Sequence, residues 1–171
     1  MLDILKEHGF KVVSLSDELR AELTARGIPI TRPALGAVGN ELRGKHGFGV
    51  LAQRVLERIA NDKGSKYAVD SIRHPEEVRV LRSSPRFRAL IAIDAPASVR
   101  YKRCCSRSRE GEGTTMKLED FLAGDDAELY GREGSQRVRE CMVAADWWIL
   151  NTGPIDEIRT SLVQHHLVPP Q

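Results

Sequence analysis

The chain has 171 residues, with 26 Lys and Arg against 24 Asp and Glu and a formal net charge of +2. This length predicts one domain with its own hydrophobic core. The apolar runs fall short of the roughly 20 residues that a membrane span needs, and a near-neutral charge with 5% aromatic residues disfavours an extended nucleic-acid groove. The cysteines have neither disulfide-framework nor zinc-ligand spacing, which predicts a reducing, cytoplasmic setting; they are Cys104, Cys105 and Cys141.

Short apolar runs alternate with longer helical patterns along the chain. In chain order the patterns predict a helix ending at His8 and Gly9, a strand over 10–15, helices over 16–26, 34–45 and 50–60, a strand over 67–70, a helix from His74, a strand over 88–94, helices over 97–107, 118–130 and 135–144, a strand over 147–150 and a helix over 154–164. The strand over 88–94 has an apolar centre, which predicts burial on both faces of a parallel sheet. This alternation predicts an α/β fold that binds ligands at the carboxyl ends of its strands.

The first candidate site follows the first predicted strand. Ser16 and Asp17 are suited to cap the next helix, and that role alone would account for them. Arg20 lies one turn further on, where its planar guanidinium can bind two oxygens of a phosphate. The segment is therefore either a helix cap or part of a phosphate-binding site.

The second candidate site follows the strand over 67–70. Asp70 ends this strand, in the manner of an aspartate that holds a metal-bound water in phosphoryl-transfer enzymes. Arg73 is three residues further on and can reach a second phosphate. The alternative is that Asp70 caps the helix that follows.

The third candidate site is a basic helix that leads into a glycine-rich segment. The basic residues are Arg100, Lys102, Arg103, Arg107 and Arg109, and residues 110–115 follow them. One interpretation is a solvated helix whose cations complement the helix dipole. The other is a lid that brings positive charge to a phosphoryl group and excludes water, with Asp126 as a candidate to orient a lid arginine.

Together these segments resemble the P-loop nucleoside-monophosphate kinases, the group of adenylate kinase and dephospho-coenzyme A kinase. Residues 17–21 match the family's Asp-x-Leu-Arg-Ala, and residues 70–73 match its Asp-Gly-Phe-Pro-Arg with one residue fewer. The resemblance implies substrate binding by Ser16, Asp17, Arg20 and Arg73, catalysis by Asp70, Arg103 and Arg107, and nucleotide binding by Arg103, Asn151, Thr152 and Gly153. It implies ATP bound with Mg²⁺, without a metal site made by the protein alone.

A closer resemblance is to predicted AAA-type nucleotide kinases related to dephospho-coenzyme A kinase. It rests on residues 27–29, 41–47, 70–73 and 107–110. Residues 91–100 also resemble the kinase-like domain fused to some deoxycytidylate deaminases. These resemblances imply a three-layer parallel sheet flanked by helices, in one nucleotide-kinase-like domain over residues 1–171 with a lid over about 103–134. They imply a nucleotide or other phosphorylated small molecule as ligand and allow a deaminase-type partner; self-association into a homo-oligomer is left open.

The sequence departs from the kinase pattern in one large respect. The family's first strand and its Gly-x-x-x-x-Gly-Lys-Ser/Thr loop, which cradles the donor phosphates, have no counterpart here. Three hypotheses follow: a kinase-type protein whose start is missing, a protein that binds nucleotides without transferring phosphate, and an accessory domain of a deaminase-type protein. The first also predicts a sheet without its central strand, which leaves unpaired edges on both neighbours.

Overall fold

The computed structural model describes residues 1–106, 116–131 and 136–169. The elements are α1 (Leu2–Glu7), β1 (Phe10–Ser14), α2 (Leu15–Ala25), α3 (Arg32–His46), α4 (Val50–Ile59), β2 (Lys66–Asp70), α5 (Pro75–Arg82), β3 (Ile91–Asp94), α6 (Ala97–Cys105), α7 (Leu118–Leu129), α8 (Val138–Val143), β4 (Trp147–Leu150) and α9 (Ile155–Gln164). The helices and strands predicted from the sequence correspond to these elements, with ends that differ by a few residues. The fold is mixed α/β with parallel strands, as the alternating pattern predicts.

Local sequence explains where several helices begin and end. Gly9 and Gly27 follow α1 and α2 with φ of 80° and 67°, a left-handed conformation that glycine adopts without steric cost. Thr31 caps α3 through a bond to the Ala34 amide, and Pro33 occupies the first turn, where a missing N–H costs nothing. These signals fix the ends of α1 and α2 and the start of α3.

The four strands of the described residues form two separate parallel pairs. β1 pairs with β2 from Phe10 opposite Lys66 to Ser14 opposite Asp70. β3 pairs with β4 from Ile91 opposite Trp147 to Asp94 opposite Leu150. The single sheet expected from the kinase resemblance is therefore not present as such, since β2 and β3 share no ladder hydrogen bonds among the described residues.

A largely apolar groove of about 930 Å³ lies between β2 and β3. The strand predicted over 88–94 borders this groove and differs from β3. Only residues 91–94 are extended, and Ile91 and Ile93 are half-buried, whereas Ala92 is buried. β3 is therefore shorter than predicted and only partly buried, and among the described residues its ladder hydrogen bonds go to β4 alone.

Among the described residues three apolar clusters hold the elements together, the smallest of them formed by Val78, Leu90 and Cys141. The larger of the other two cores joins the helices α2, α3, α4 and α5, and its most buried members include Leu15, Leu23, Leu51 and Val55. The second one joins α1, β4 and α9 around Ile4, Ile149 and Leu162. Among the residues that the structure describes, no helix is both long and apolar enough to cross a membrane.

Candidate functional site

A cavity of about 1010 Å³ lies at the carboxyl ends of all four strands. Its wall includes Ser14 of β1, Asp70 of β2 and Asp94 of β3, together with Asn151, which follows β4. In sheets of parallel strands this edge collects the loops that bind ligands. The segments singled out from the sequence thus meet in one place.

Charged side chains line this cavity, and with Lys6 counted its cations outnumber its acids by seven to five. Six of the described arginines line it, against five acidic residues; the arginines are Arg20, Arg32, Arg43, Arg73, Arg100 and Arg103, and the acids are Asp17, Asp70, Asp94, Asp125 and Glu128. Guanidinium groups bind pairs of oxygens on phosphates and carboxylates. We call this space the arginine-lined cavity.

The start of α2 forms one part of the wall. The cap of this helix is Ser14, whose Oγ accepts a hydrogen bond from the Ser16 amide at 3.3 Å. The prediction that Ser16 and Asp17 provide the cap was wrong, because β1 ends one residue earlier than expected and both residues lie inside the first turn. Arg20 donates to Asp17 at 3.2 Å, and Ser16, Asp17 and Arg20 all line the cavity.

The loop after β2 carries Asp70 and Arg73 into the cavity. Ser71 has φ of 61°, an uncommon conformation for a residue other than glycine. Its hydroxyl accepts a hydrogen bond from Ser14 Oγ at 2.9 Å, which connects the ends of β1 and β2. The left-handed turn and this bond direct the chain so that both Asp70 and Arg73 face the cavity.

Glu77, on α5, holds the same loop in place through hydrogen bonds to its backbone. Its Oε2 accepts hydrogen bonds from the amides of Arg73 at 2.7 Å and His74 at 3.1 Å. Its Oε1 lies 3.4 Å from Nη2 of Arg43, and both side chains are buried, that of Glu77 completely. Burial raises the pKa of Glu77, while the two amides and the Arg43 cation favour its ionised form. The pair fixes the backbone from which Arg73 extends.

Asp70 does not cap α5. His74 occupies that position and accepts a hydrogen bond from the Glu76 amide through Nδ1 at 3.1 Å. One carboxylate oxygen of Asp70, Oδ1, is buried and accepts no hydrogen bond from the described residues. A buried acceptor without a donor is costly, so this oxygen is suited to a donor brought by a ligand.

The opposite wall comes from α6 and the end of β4. Arg103 donates to the carbonyl oxygen of Asn151 at 2.9 Å, and both residues line the cavity. Thr152 and Gly153 come next in the chain and are not among the lining residues. Arg107 lies outside the described residues, so the structure places only Arg103 of the two predicted lid arginines.

Two acids of α7 reach the arginines from the lid region. Asp125 pairs with Arg100 of α6, with a distance of 3.1 Å from Nε to Oδ1, and Asp94 accepts a second hydrogen bond from the same guanidinium at 3.2 Å. Asp126, the candidate suggested by the sequence, is exposed instead. Glu128 forms ion pairs with Arg32 of α3 and with Arg73, which follows β2.

Sequence reasoning missed Glu128, Arg32 and Glu77. Asp125 and Glu128 are three residues apart and so share one side of α7. An acidic side of α7 and a basic α6 could have predicted ion pairs between the two helices. Nothing local marks Arg32, which stands beside Pro33 at the start of α3. Glu77 is recognisable as a capping-box acid three residues after His74, but its burial depends on the packing of α3.

Residues 39–45 share the glycine and lysine spacing of a phosphate-binding loop. They lie inside α3, where the backbone N–H groups are bonded within the helix, and Lys45 pairs with Glu41 at 2.6 Å on an exposed face. This segment cannot cradle phosphates. The described residues also contain no cluster of three or more His, Cys, Asp or Glu side chains placed to hold a metal ion.

The fold and the site define an α/β protein of parallel strands with an arginine-lined cavity at their carboxyl edge. The chain belongs to the UPF0200 family. It is 35% identical over 158 residues to a UPF0200 protein of Methanothrix thermoacetophila, covering 92% of this chain and 83% of that protein. It is 32% identical over 150 residues to a UPF0200 protein of Methanoregula boonei, covering 87% of this chain and 78% of that protein. A UPF0200/UPF0201 protein of Archaeoglobus fulgidus is 32% identical over 158 residues, which cover 91% of this chain and 47% of that protein. No family model matches the chain.

Proposed function

We propose that the arginine-lined cavity binds a nucleotide or another phosphorylated small molecule. The observation that carries this proposal is the convergence of six arginines from four segments of the chain on one cavity. Guanidinium groups bind phosphate oxygens in pairs, and a phosphate can compete for them with the carboxylates that line the same cavity. The first turn of α2 adds the positive end of a helix dipole on the same side.

The kinase resemblance extends the proposal to a nucleoside triphosphate carried with Mg²⁺. Asp70 fits such a ligand, because it lines the cavity and its buried Oδ1 has no hydrogen-bond donor among the described residues. A phosphate-bound Mg²⁺ would supply charge neutralisation when present, and its water shell would supply donors. Within this proposal Arg103 and Asn151 contact the nucleotide, and Arg20 and Arg73 hold the phosphate of the second substrate.

The proposal concerns binding rather than turnover, since the sequence has no Gly-x-x-x-x-Gly-Lys-Ser/Thr loop. Phosphoryl transfer, a deaminase-type partner and a homo-oligomer stay predictions from the sequence. A protein that binds phosphates through paired guanidinium groups is also expected to lose affinity with increasing salt.

Calorimetry with AMP and ATP, each with and without Mg²⁺, tests the proposal. We expect Arg20→Ala and Arg73→Ala to weaken binding by about 1.5–3 kcal/mol each, the range for hydrogen bonds to charged groups. Arg79→Ala is the matched control, because Arg79 lies on α5 with a side chain that is 70% exposed and outside the cavity. Absence of binding by the folded parent protein, or equal binding by all three variants, would contradict the proposal.

A further inference from the structure

Glu128 forms a bridge across the arginine-lined cavity. Its Oε1 accepts a hydrogen bond from Arg32 Nη2 at 2.6 Å, and its Oε2 accepts one from Arg73 Nη1. Gln136 binds the same Nη1 through its side-chain oxygen at 2.8 Å. Two guanidinium groups from different segments thus hold the two oxygens of one carboxylate. A phosphoryl group offers the same pair of oxygens with more negative charge.

The helix that carries Glu128 has little apolar anchorage. None of the residues of α7 is buried, Leu118 and Leu122 are 46% and 40% exposed, and the half-buried Phe121 contacts Tyr101 with 5.4 Å between ring centroids. Its described polar contacts with the cavity are the bonds of Glu128 and, one turn earlier, the pair between Asp125 and Arg100. Partly exposed ion pairs contribute little net stability, so an anion of higher charge can replace the Glu128 carboxylate at low cost.

We propose that Arg32 and Arg73, with Gln136 beside them, form a subsite for a phosphoryl group, and that Glu128 occupies this anion subsite until a ligand displaces it. This inference rests on the proposed function and adds Arg32 and Gln136 to the ligand-binding residues. Asp125 keeps its pair with Arg100 when Glu128 leaves, so α7 stays attached at its middle while its carboxyl end separates from α3. The apparent affinity is therefore the intrinsic affinity multiplied by the fraction of molecules in which Glu128 has left the subsite.

Titration calorimetry with pyrophosphate at low salt compares the parent with Glu128→Gln and Glu119→Gln. Glu119 lies exposed in the first turn of the same helix, so its substitution changes the net charge equally without touching the subsite. We expect Glu128→Gln to bind pyrophosphate about tenfold more tightly than the parent. Glu119→Gln is expected to stay within about twofold of the parent, the size of a distant surface charge effect.

Arg32→Ala in the Glu128→Gln background tests the newly assigned arginine. In that background position 128 carries no charge, so the ion pair between Arg32 and Glu128 is already lost and a further loss of affinity is attributed to the contact of Arg32 with the ligand. We expect the double variant to lose about tenfold or more in pyrophosphate affinity relative to Glu128→Gln. Equal affinities would overturn the assignment of Arg32.

Hydrogen exchange provides a second readout that does not depend on the variants. Pyrophosphate is expected to increase exchange at the amides of residues 126–130 in the parent while leaving those of α4 unchanged. Equal affinity of the parent and Glu128→Gln, or slower exchange in residues 126–130 on binding, overturns this inference and leaves the proposed function standing. If neither the parent nor Glu128→Gln binds any phosphate ligand, the proposed function fails and the subsite with it.

Discussion

The two sides of the arginine-lined cavity are held in place by different forces. On the side of α2 and α4, Leu15, Leu23, Leu51 and Val55 are at most 1% exposed and form the centre of the larger core. On the side of α7 no residue is buried, and the described polar contacts with the cavity are ion pairs. The first side is fixed by apolar burial, and the second is fixed mainly by charges that a ligand can also satisfy, beside one ring contact between Phe121 and Tyr101.

This difference separates the residues that support the site from those that can respond to a ligand. Apolar packing has no substitute once it is lost, because water does not replace buried contacts. An arginine paired with a carboxylate can exchange it for a phosphate and keep its hydrogen bonds. The comparison therefore predicts large stability effects on the α2–α5 side and small ones on α7.

The largest effect is expected from Glu77→Ala. This change leaves the buried Arg43 without its counter-ion and removes the acceptor of the Arg73 and His74 amides. We expect the free energy of unfolding to fall by about 3–5 kcal/mol in urea denaturation. Glu76→Ala is the control, since Glu76 forms an exposed pair with Arg79 and should cost less than about 1 kcal/mol. Similar losses in both variants would show that the buried pair has no special importance.

A pair of leucine truncations measures the contrast between the two sides directly. Leu51→Ala opens a cavity in the larger core and is expected to lower the free energy of unfolding by about 2–5 kcal/mol. Leu122→Ala on α7 removes a side chain from a residue that is 40% exposed, and we expect a loss of about 0.5 kcal/mol or less. A large loss in Leu122→Ala would mean that α7 depends on apolar packing after all.

The smallest effect concerns the pH dependence of stability. Burial, helped by the nearby Arg137 and Arg43 cations, lowers the pKa of His74 below its ordinary 6.5. The unfolded chain therefore binds this proton more readily, and the stability that His74 contributes is present above pH 6.5 and lost as the pH falls through its folded pKa. His74→Asn keeps a side chain that can cap α5. We expect it to flatten the decline in unfolding free energy between pH 7 and pH 5, as measured by urea denaturation; an unchanged slope would count against His74 as the titrating group.

Much of the secondary structure and part of the site were predictable from local patterns. Glycines after α1 and α2, proline in the first turn of α5 and alternating apolar runs act within a few residues, so they can be interpreted without the fold. Asp70 and Arg73 were placed at a common edge because parallel strands end on the same side of a sheet. The cap of α2 was predicted at Ser16 and Asp17 and lies at Ser14, because hydrophobic periodicity does not resolve the end of a strand to one residue.

The sequence by itself determined the order of helices and strands, the parallel α/β class and the arginines that stand after strands. The tertiary structure decided that the strands form two pairs with a groove between them, and that Glu128 meets Arg32 and Arg73 across separations of 96 and 55 residues. The physical reason is the distance along the chain over which each interaction acts. Capping and periodicity are set by neighbours within one turn, whereas the pairing of a carboxylate with a guanidinium depends on how distant helices pack.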